Sequence, residues 1–528
     1  MSVAPATVPE DFRPIPDLVV AHASGQGGKV AVKCGGASVT WRQFGGRVER
    51  VAARLAALGV GKGSKVGLLA ANSIAYLEIM MGVVRAGACI VPLSTMASAS
   101  ALEGMIADSG VRLLFADAPH REVVDRLAAG AAVLDRGIVA IDFEADGWTG
   151  YEAWLGAGAA EAAPAALPAI APGDPFNIFY SSGTTGLPKG IVHSHLARWA
   201  MVPRFRSFDY SGESTLLVAT PIYSNLTIGG LFPTLAMGGT VVILPKFDTG
   251  AFLALAEAER VTHAMLVPIQ IQRLLADPSF DRFDLSAFRA VFSGGAPLHA
   301  ETKRACIARW PGRLIELYGL TEGGASCVLD ARAFPDKLHT VGRPGAVVDL
   351  RFIDEEGREV PRGETGEIVG RTPIGMMEGY HNKPDLTEVL RWRSADGHLF
   401  YRTGDIGRLD ADGFLTLFDR KKDMIISGGV NVFAVDVEAA LRAHADVFDA
   451  AVVGVPSARW GESPYGFVVL RPGATVAADA LAEWANARLG PPQRLCGLRL
   501  LDELPRNAAG KVLKRALKEE FSIGGTAT

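Results

Sequence analysis

The segment Ser181-Ser182-Gly183-Thr184-Thr185-Gly186-Leu187-Pro188-Lys189-Gly190 directly follows the apolar run Phe176-Asn177-Ile178-Phe179-Tyr180. A strand feeding straight into such a segment must turn at once. Glycines there let backbone N–H groups crowd around an anion, while hydroxyls and Lys189 add further donors. A strand followed by a loop of this chemistry suits a polyphosphate. It is not a Walker A loop, whose lysine follows glycine and precedes Ser or Thr. Here Lys189 stands between Pro188 and Gly190. The plain alternative is a flexible linker, but linkers rarely follow an apolar strand and close on Leu-Pro-Lys-Gly-Ile-Val.

The remaining sequence reads as layered α/β. At 528 residues the chain exceeds what one core organises, so two or more domains are expected. Hydrophobic content of 49% and charged content of 21% fit a globular protein. A net charge of −4 gives no reason to expect nucleic acid or an anionic membrane as partner. Five cysteines at 34, 89, 306, 327 and 496 have no metal-ligand spacing and point to a reduced, cytoplasmic setting. No signal peptide or membrane span is expected, since the most apolar stretch, 79–93, is short and broken by Arg85. Phe44, Val48, Val51, Leu55 and Leu58 recur at helical spacing before Gly59. Strands are expected at 65–70, 88–93 and 111–115, with a helix at 75–86 between the first two, which argues for parallel sheets. Residues 156–172 read as an Ala/Gly/Pro connector. Charged, hinge-like sequence near 419–423 precedes a unit of about a hundred residues, with strands expected at 450–455 and 466–470 and a helix at 478–489.

With its loop and later motifs in order, the chain resembles the adenylate-forming superfamily of acyl-CoA synthetases, 4-coumarate:CoA ligases, luciferases and peptide-synthetase adenylation domains. The resemblance covers nearly the whole chain. It implies a large N-terminal domain of layered α/β subdomains, 1–421, and a small mobile C-terminal α+β domain, 422–528. It implies ATP, Mg²⁺ and CoA as cofactor and co-substrates, and the following roles. Ser181, Ser182, Gly183, Thr184, Thr185, Gly186 and Lys189 hold phosphate. Gly295, Ala296 and Pro297, after the strand-like 290–292, receive adenine, which Tyr318 and Gly319 border. Thr321 contacts phosphate, and Glu322 is the Mg²⁺ ligand, a carboxylate suited to a hard cation. Asp405 takes both ribose hydroxyls as an acceptor-only group, joined by Arg420. Lys422 is the hinge. Ser427, Gly428, Gly429 and Glu438 continue that motif, and Lys511, in the run from Pro505, drives adenylation; Thr184 and Glu322 join it as catalytic groups. Relatives with this lysine motif include enzymes silenced by acetylation, so a lysine acetyltransferase acting on Lys511 is a further implied partner.

One departure stands out. Relatives carry an aromatic residue and histidine after a proline, where this chain has Pro221-Ile222-Tyr223-Ser224-Asn225. Ser224 takes the place of a histidine that orients the carboxylate, and neither His193 nor His195 fills that slot by register. Tyr223, Ser224, Asn225, Ile228, Gly229 and Gly324 are the expected acyl-pocket residues. These segments contain no Arg or Lys, and no acid outside the metal motif, which favours an uncharged small-molecule carboxylic acid. The implied activity is formation of an acyl-adenylate and transfer to CoA. Loading of a carrier protein, luciferase-type oxidation and a non-catalytic binding homologue are the rivals.

Overall fold

Thr40 caps the helix Trp41–Ala57 with a reciprocal pair of hydrogen bonds. Its hydroxyl accepts from Gln43 N–H at 3.3 Å, and Gln43 Oε1 accepts from Thr40 N–H at 2.8 Å. Phe44, Val48, Val51 and Leu55 then fall on one face and are all buried. They pack against the helix Ile74–Arg85, which is apolar nearly all round. The computed structural model describes residues 8–130, 134–157, 167–181, 188–507 and 510–524, and the connector expected at 156–172 falls partly outside them.

Among the described residues these helices lie between two large sheets sharing one core, in which Val66 and Leu68 of one sheet join Val218 and Val241 of the other. The first sheet has eight strands, and its inner strands Lys65–Leu69, Cys89–Pro92 and Leu113–Ala116 run parallel as expected. Beside them lie β1 (Pro175–Ser181), parallel to Cys89–Pro92, and β2 (Lys189–Ser194), which returns antiparallel and leads into α1 (His195–Trp199). The second sheet has nine strands with a parallel centre that includes β3 (Ala290–Gly294) and β4 (Arg313–Gly319). Antiparallel strands close its edges. Against it packs α2 (Asn225–Met237), almost wholly buried.

A third sheet is antiparallel throughout and contains β5 (Leu399–Leu409) paired with β6 (Leu415–Arg420). After β6 the chain enters a separate five-stranded sheet with its own core, built on the long hairpin Val447–Ser457 and Gly461–Leu470 with the helix Ala478–Asn486. The result is a mixed α/β protein with a large N-terminal and a small C-terminal domain. No helix among the described residues is long and apolar enough to cross a membrane.

One buried ion pair anchors the strand that carries the later site. Glu316 on β4 pairs with Lys303, and Lys303 Nζ also donates to the carbonyls of Leu338 (2.9 Å) and Thr340 (2.8 Å). Burial pushes the Glu316 carboxyl up, and Lys303 opposes it. Removing one partner strands the other charge, so Lys303→Met is expected to lower unfolding free energy by about 3–5 kcal/mol in a denaturant titration. Lys303→Met/Glu316→Gln is expected to regain part of that loss.

Candidate active site

The expected phosphate loop spans the β1–β2 hairpin. Ser181 pairs with Lys189 across the strands, and Ser182, Gly183, Thr184, Thr185 and Gly186 lie outside the described residues. From β2, Lys189 projects its ammonium over the Tyr380 ring, 5.2 Å from the centroid. Tyr380 Oη donates to Glu322 Oε1 at 2.8 Å. Tyr380, absent from the sequence reading, therefore links the lysine to the carboxylate.

Thr321 and Glu322 follow β4 in a turn made tight by Gly323 (φ +79°) and Gly324 (φ +84°). A Cβ at Gly323 would sit 2.4 Å from the Gly375 carbonyl oxygen, and one at Gly324 would sit 2.6 Å from that of Gly370. Only glycine satisfies both the dihedral and the approach. The Thr321 carbonyl accepts from His193 Nε2 at 2.7 Å, while His193 Nδ1 lies 3.0 Å from Arg198 Nη2. Arginine can only donate and a carbonyl can only accept, so His193 is the neutral Nε2–H tautomer. Burial and the Arg198 charge hold its pKa well below the ordinary value. His195 is a core residue: its ring lies 4.9 Å from that of Phe176, and burial holds its pKa down to about 4.

Asp405 sits where three groups converge. Its Oδ2 accepts from Tyr318 Oη at 2.8 Å, its Oδ1 lies 3.0 Å from Arg420 Nε, and its backbone N–H donates to Thr403 Oγ1 at 3.0 Å. Asp405 and Arg420 are direct partners in the β5–β6 ladder. Their separation of fifteen residues in sequence is thus closed by a hairpin. Partial desolvation, then the nearby Arg420 and Lys189 charges, hold the Lys422 ammonium below the ordinary lysine range against Asp423 and Asp405. Lys511 comes from the other domain. Gly510 before it has φ +75°, and a Cβ there would meet Val267 at 3.0 Å, so the loop is seated on the large domain. Burial pulls the Lys511 pKa down to about 8; Arg420 and Lys422 add to the shift, while Asp405 and Asp423 oppose it. Lys189, Arg420, Lys422 and Lys511 gather beside two carboxylates, Asp405 and Asp423, a surplus of cations matched to a polyanion.

Gly295, Ala296 and Pro297 follow β3 at its carboxyl end; Gly295 and Pro297 are exposed and Ala296 half-buried. On the acyl side, Tyr223, Ser224 and Asn225 are half-buried, with Ile228 and Gly229 buried behind them. The Tyr223 hydroxyl accepts from Thr95 Oγ1 at 3.2 Å. A Cβ at Gly229 would be in ordinary contact with Met265 (3.4 Å) and Phe205 (3.6 Å). Gly324 is buried against strand Gly366–Arg371 and faces the third sheet. Arg198 of α1, which a reading confined to the pocket segments missed, reaches Asn225. Its Nη1 donates to Asn225 Oδ1 at 2.9 Å and its Nε to Asn177 Oδ1 at 2.6 Å. An arginine inside the run Leu196-Ala197-Arg198-Trp199 was the available signal.

Farther along the chain, Gly428 N–H donates to the Trp460 carbonyl at 2.8 Å, and half-buried Glu438 pairs with Lys514 at 3.1 Å, tying two helices of the small domain together.

The sequence pattern described as AMP-binding enzyme matches residues 19–381, and that of the AMP-binding enzyme C-terminal domain matches residues 436–511. The chain belongs to the adenylate-forming, AMP-binding enzyme family. It is 35% identical to a feruloyl-CoA synthase from Amycolatopsis sp over 93% of this chain and 96% of that one. It is 32% identical to the fatty acid–[acyl-carrier-protein] ligase ScoC of Streptomyces coeruleorubidus, over 95% of each. Among solved structures it resembles the amide bond synthetase McbA from Marinactinospora thermotolerans, with a TM-score of 0.84 and 30% identity over 96% of this chain and 99% of that one. The family is one of ATP-dependent, AMP-forming ligases.

The geometry around Lys511 sets a titration. With lysines reductively methylated using ¹³C-formaldehyde, one NMR resonance, missing in Lys511→Arg, is expected to titrate near about pH 8. Asp405→Asn is expected to lower that midpoint and Arg420→Gln to raise it, because the first removes a favourable charge and the second a repulsive one.

Proposed function

We propose that this protein is an AMP-forming acid–thiol ligase that activates an uncharged carboxylic acid with ATP and transfers the acyl group to CoA. The observation that carries this reading is the convergence of Lys511 from the small domain on the Asp405–Arg420 pair of the large one. In the first step a carboxylate oxygen attacks the α-phosphorus of ATP, and pyrophosphate leaves with the electrons of the broken P–O bond. Positioning and charge stabilisation dominate such chemistry. Asp405 and Arg420 hold the ribose, with Tyr318 fixing the Asp405 carboxylate and Gly295 to Pro297 beside the base. Lys189 and the loop from Ser181 through Gly186 receive the departing phosphates. Lys511 lies between the substrate carboxylate and the α-phosphate, where its charge offsets that of both.

Glu322 suits a magnesium ion. One of its oxygens is held by Tyr380, and no group of three or more metal-ligating side chains occurs among the described residues. A single carboxylate completed by phosphate oxygens is the ordinary protein share of a Mg²⁺ site. When bound, the ion would neutralise charge building on the phosphates.

In the second step the small domain turns about Lys422 and Lys511 withdraws. The CoA thiolate then attacks the acyl carbon, releasing AMP. Tyr223, Ile228 and Gly229 themselves carry no charge, which supports an aliphatic or aromatic acid of small to medium size.

The deciding assay is AMP formation from ATP and Mg²⁺ across aliphatic, alicyclic and aromatic acids, each with and without CoA. AMP that needs both acid and CoA is the expected result. Acid-dependent pyrophosphate exchange without CoA-driven turnover would move the acceptor to a carrier protein, as in the ScoC relative. Silence throughout would overturn the enzymatic reading.

Two further outcomes follow from Lys511. Lys511→Ala is expected to cut adenylation by about a hundredfold or more while sparing thioester formation from supplied acyl-adenylate. In the wild type, kcat/KM for ATP is expected to fall as pH rises through about 8, where Lys511 loses its proton. Lys511→Arg would be slower but without that alkaline limb.

A further inference from the structure

Arg198 is 1% exposed, yet every hydrogen-bond acceptor around it is neutral: Asn177 Oδ1, Asn225 Oδ1 and His193 Nδ1. The Phe179 ring covers its guanidinium at 5.2 Å. Among the described residues it forms no ion pair, and burial alone pulls its pKa down to about 9. A cation without an anion in such a place is costly, so its retention calls for a reason. Of its partners, Asn225 belongs to the segment expected to line the acyl side.

Asn225 is the half-buried member of the cluster, whereas Asn177, His193 and Arg198 are all buried. Because arginine only donates, the Asn225 oxygen must face Arg198. The amide is thereby locked with its Nδ2 hydrogens turned away from the buried cation. Among the described residues no acceptor bonds them. A donor of this kind, fixed in direction and polarised through its carbonyl by a buried positive charge, is built to meet an anion. It stands next to Ser224, the position where this chain departs from the histidine of its relatives.

We propose that Asn225 is the donor that orients the substrate carboxylate, and that Arg198 is the positioning residue that holds it. One carboxylate oxygen accepts from Asn225 Nδ2 and the other is left to attack phosphorus. The same cation also fixes His193, and through it the Thr321 carbonyl, so one buried residue sets the donor for the acid and the turn beside Glu322. This inference rests on the proposed acid-activating function.

The test compares Asn225→Asp with Asn225→Ala, using hydroxylamine trapping of the acyl-adenylate and the acid that the wild type turns over fastest in the panel above. Asn225→Asp keeps an acceptor for Arg198 but removes the donor and adds a repelling charge. The expected result is a rise in KM for the acid of about tenfold or more in Asn225→Ala and more again in Asn225→Asp, with KM for ATP within about twofold of wild type. A purely structural Asn225 predicts the reverse order, because Asn225→Asp would pair with Arg198 and leave acid binding intact. That order, or a KM for acid unchanged in both variants, overturns the inference while wild-type turnover leaves the ligase reading standing. A wild type silent with every acid overturns the ligase reading, and this inference with it. Should thermal melts show Asn225→Asp unfolded, Asn225→Ser replaces it: its hydroxyl can still donate, so a smaller rise in acid KM than in Asn225→Ala is expected, and an equal rise overturns the inference.

Discussion

The Asp405 carboxylate is the point on which the site depends. It joins Tyr318, from the nine-stranded sheet, to Arg420, at the end of the last strand before the small domain. These two sheets also share a small apolar core, in which Ala325 and Cys327 pack with Phe352, Ile368 and Leu415. Tyr318 is itself placed by β4, whose Glu316 is anchored by buried Lys303. Hydrogen bonds to a carboxylate are stronger than neutral ones, and two of them fix both oxygens. Tyr318 in turn is kept protonated, its pKa raised well above the ordinary value by burial and by Asp405.

A second chain of contacts runs beside the first. Lys189 faces Tyr380, Tyr380 donates to Glu322, and the neighbouring Thr321 carbonyl accepts from His193, which accepts from Arg198. The β1–β2 hairpin, Glu322 and helix α1 are thus connected through one cation–π contact and a series of hydrogen bonds. Gly323 and Gly324 let the Thr321–Glu322 turn lie against the strand Gly366–Arg371 and the segment after it, so the turn has little room to move.

Much of this was legible in the sequence, for local reasons. The spacing of Phe44, Val48, Val51 and Leu55 marked the helix Trp41–Ala57, and short apolar runs marked the inner strands, because period and burial are written along the chain. The motifs assigned Asp405 and Arg420 to one ribose, and the hairpin register makes the two residues direct partners. What was not legible is tertiary. Arg198 meets residues 21 and 27 positions away, and Tyr380 meets one 58 positions away, separations that carry no periodic signal. The parallel pairing expected from alternating elements holds for the inner strands, whereas β2 returns antiparallel beside β1, the two strands being too close in sequence for a crossover helix.

Crowding Lys189, Arg420, Lys422 and Lys511 beside only Asp405 and Asp423 has a mechanical consequence. The four cations outnumber the two carboxylates, and Arg420 and Lys422 repel the Lys511 charge, so the seated position of the Lys511 loop carries an outward electrostatic load. In the proposed reaction a triphosphate would convert the load into attraction, and loss of pyrophosphate would return part of it. Nucleotide occupancy and domain seating are then linked quantities: whatever factor ATP contributes to holding the loop down, seating the loop contributes to holding ATP. In the proposed reaction the seated loop would act as a latch loaded by its own charge and released when pyrophosphate leaves.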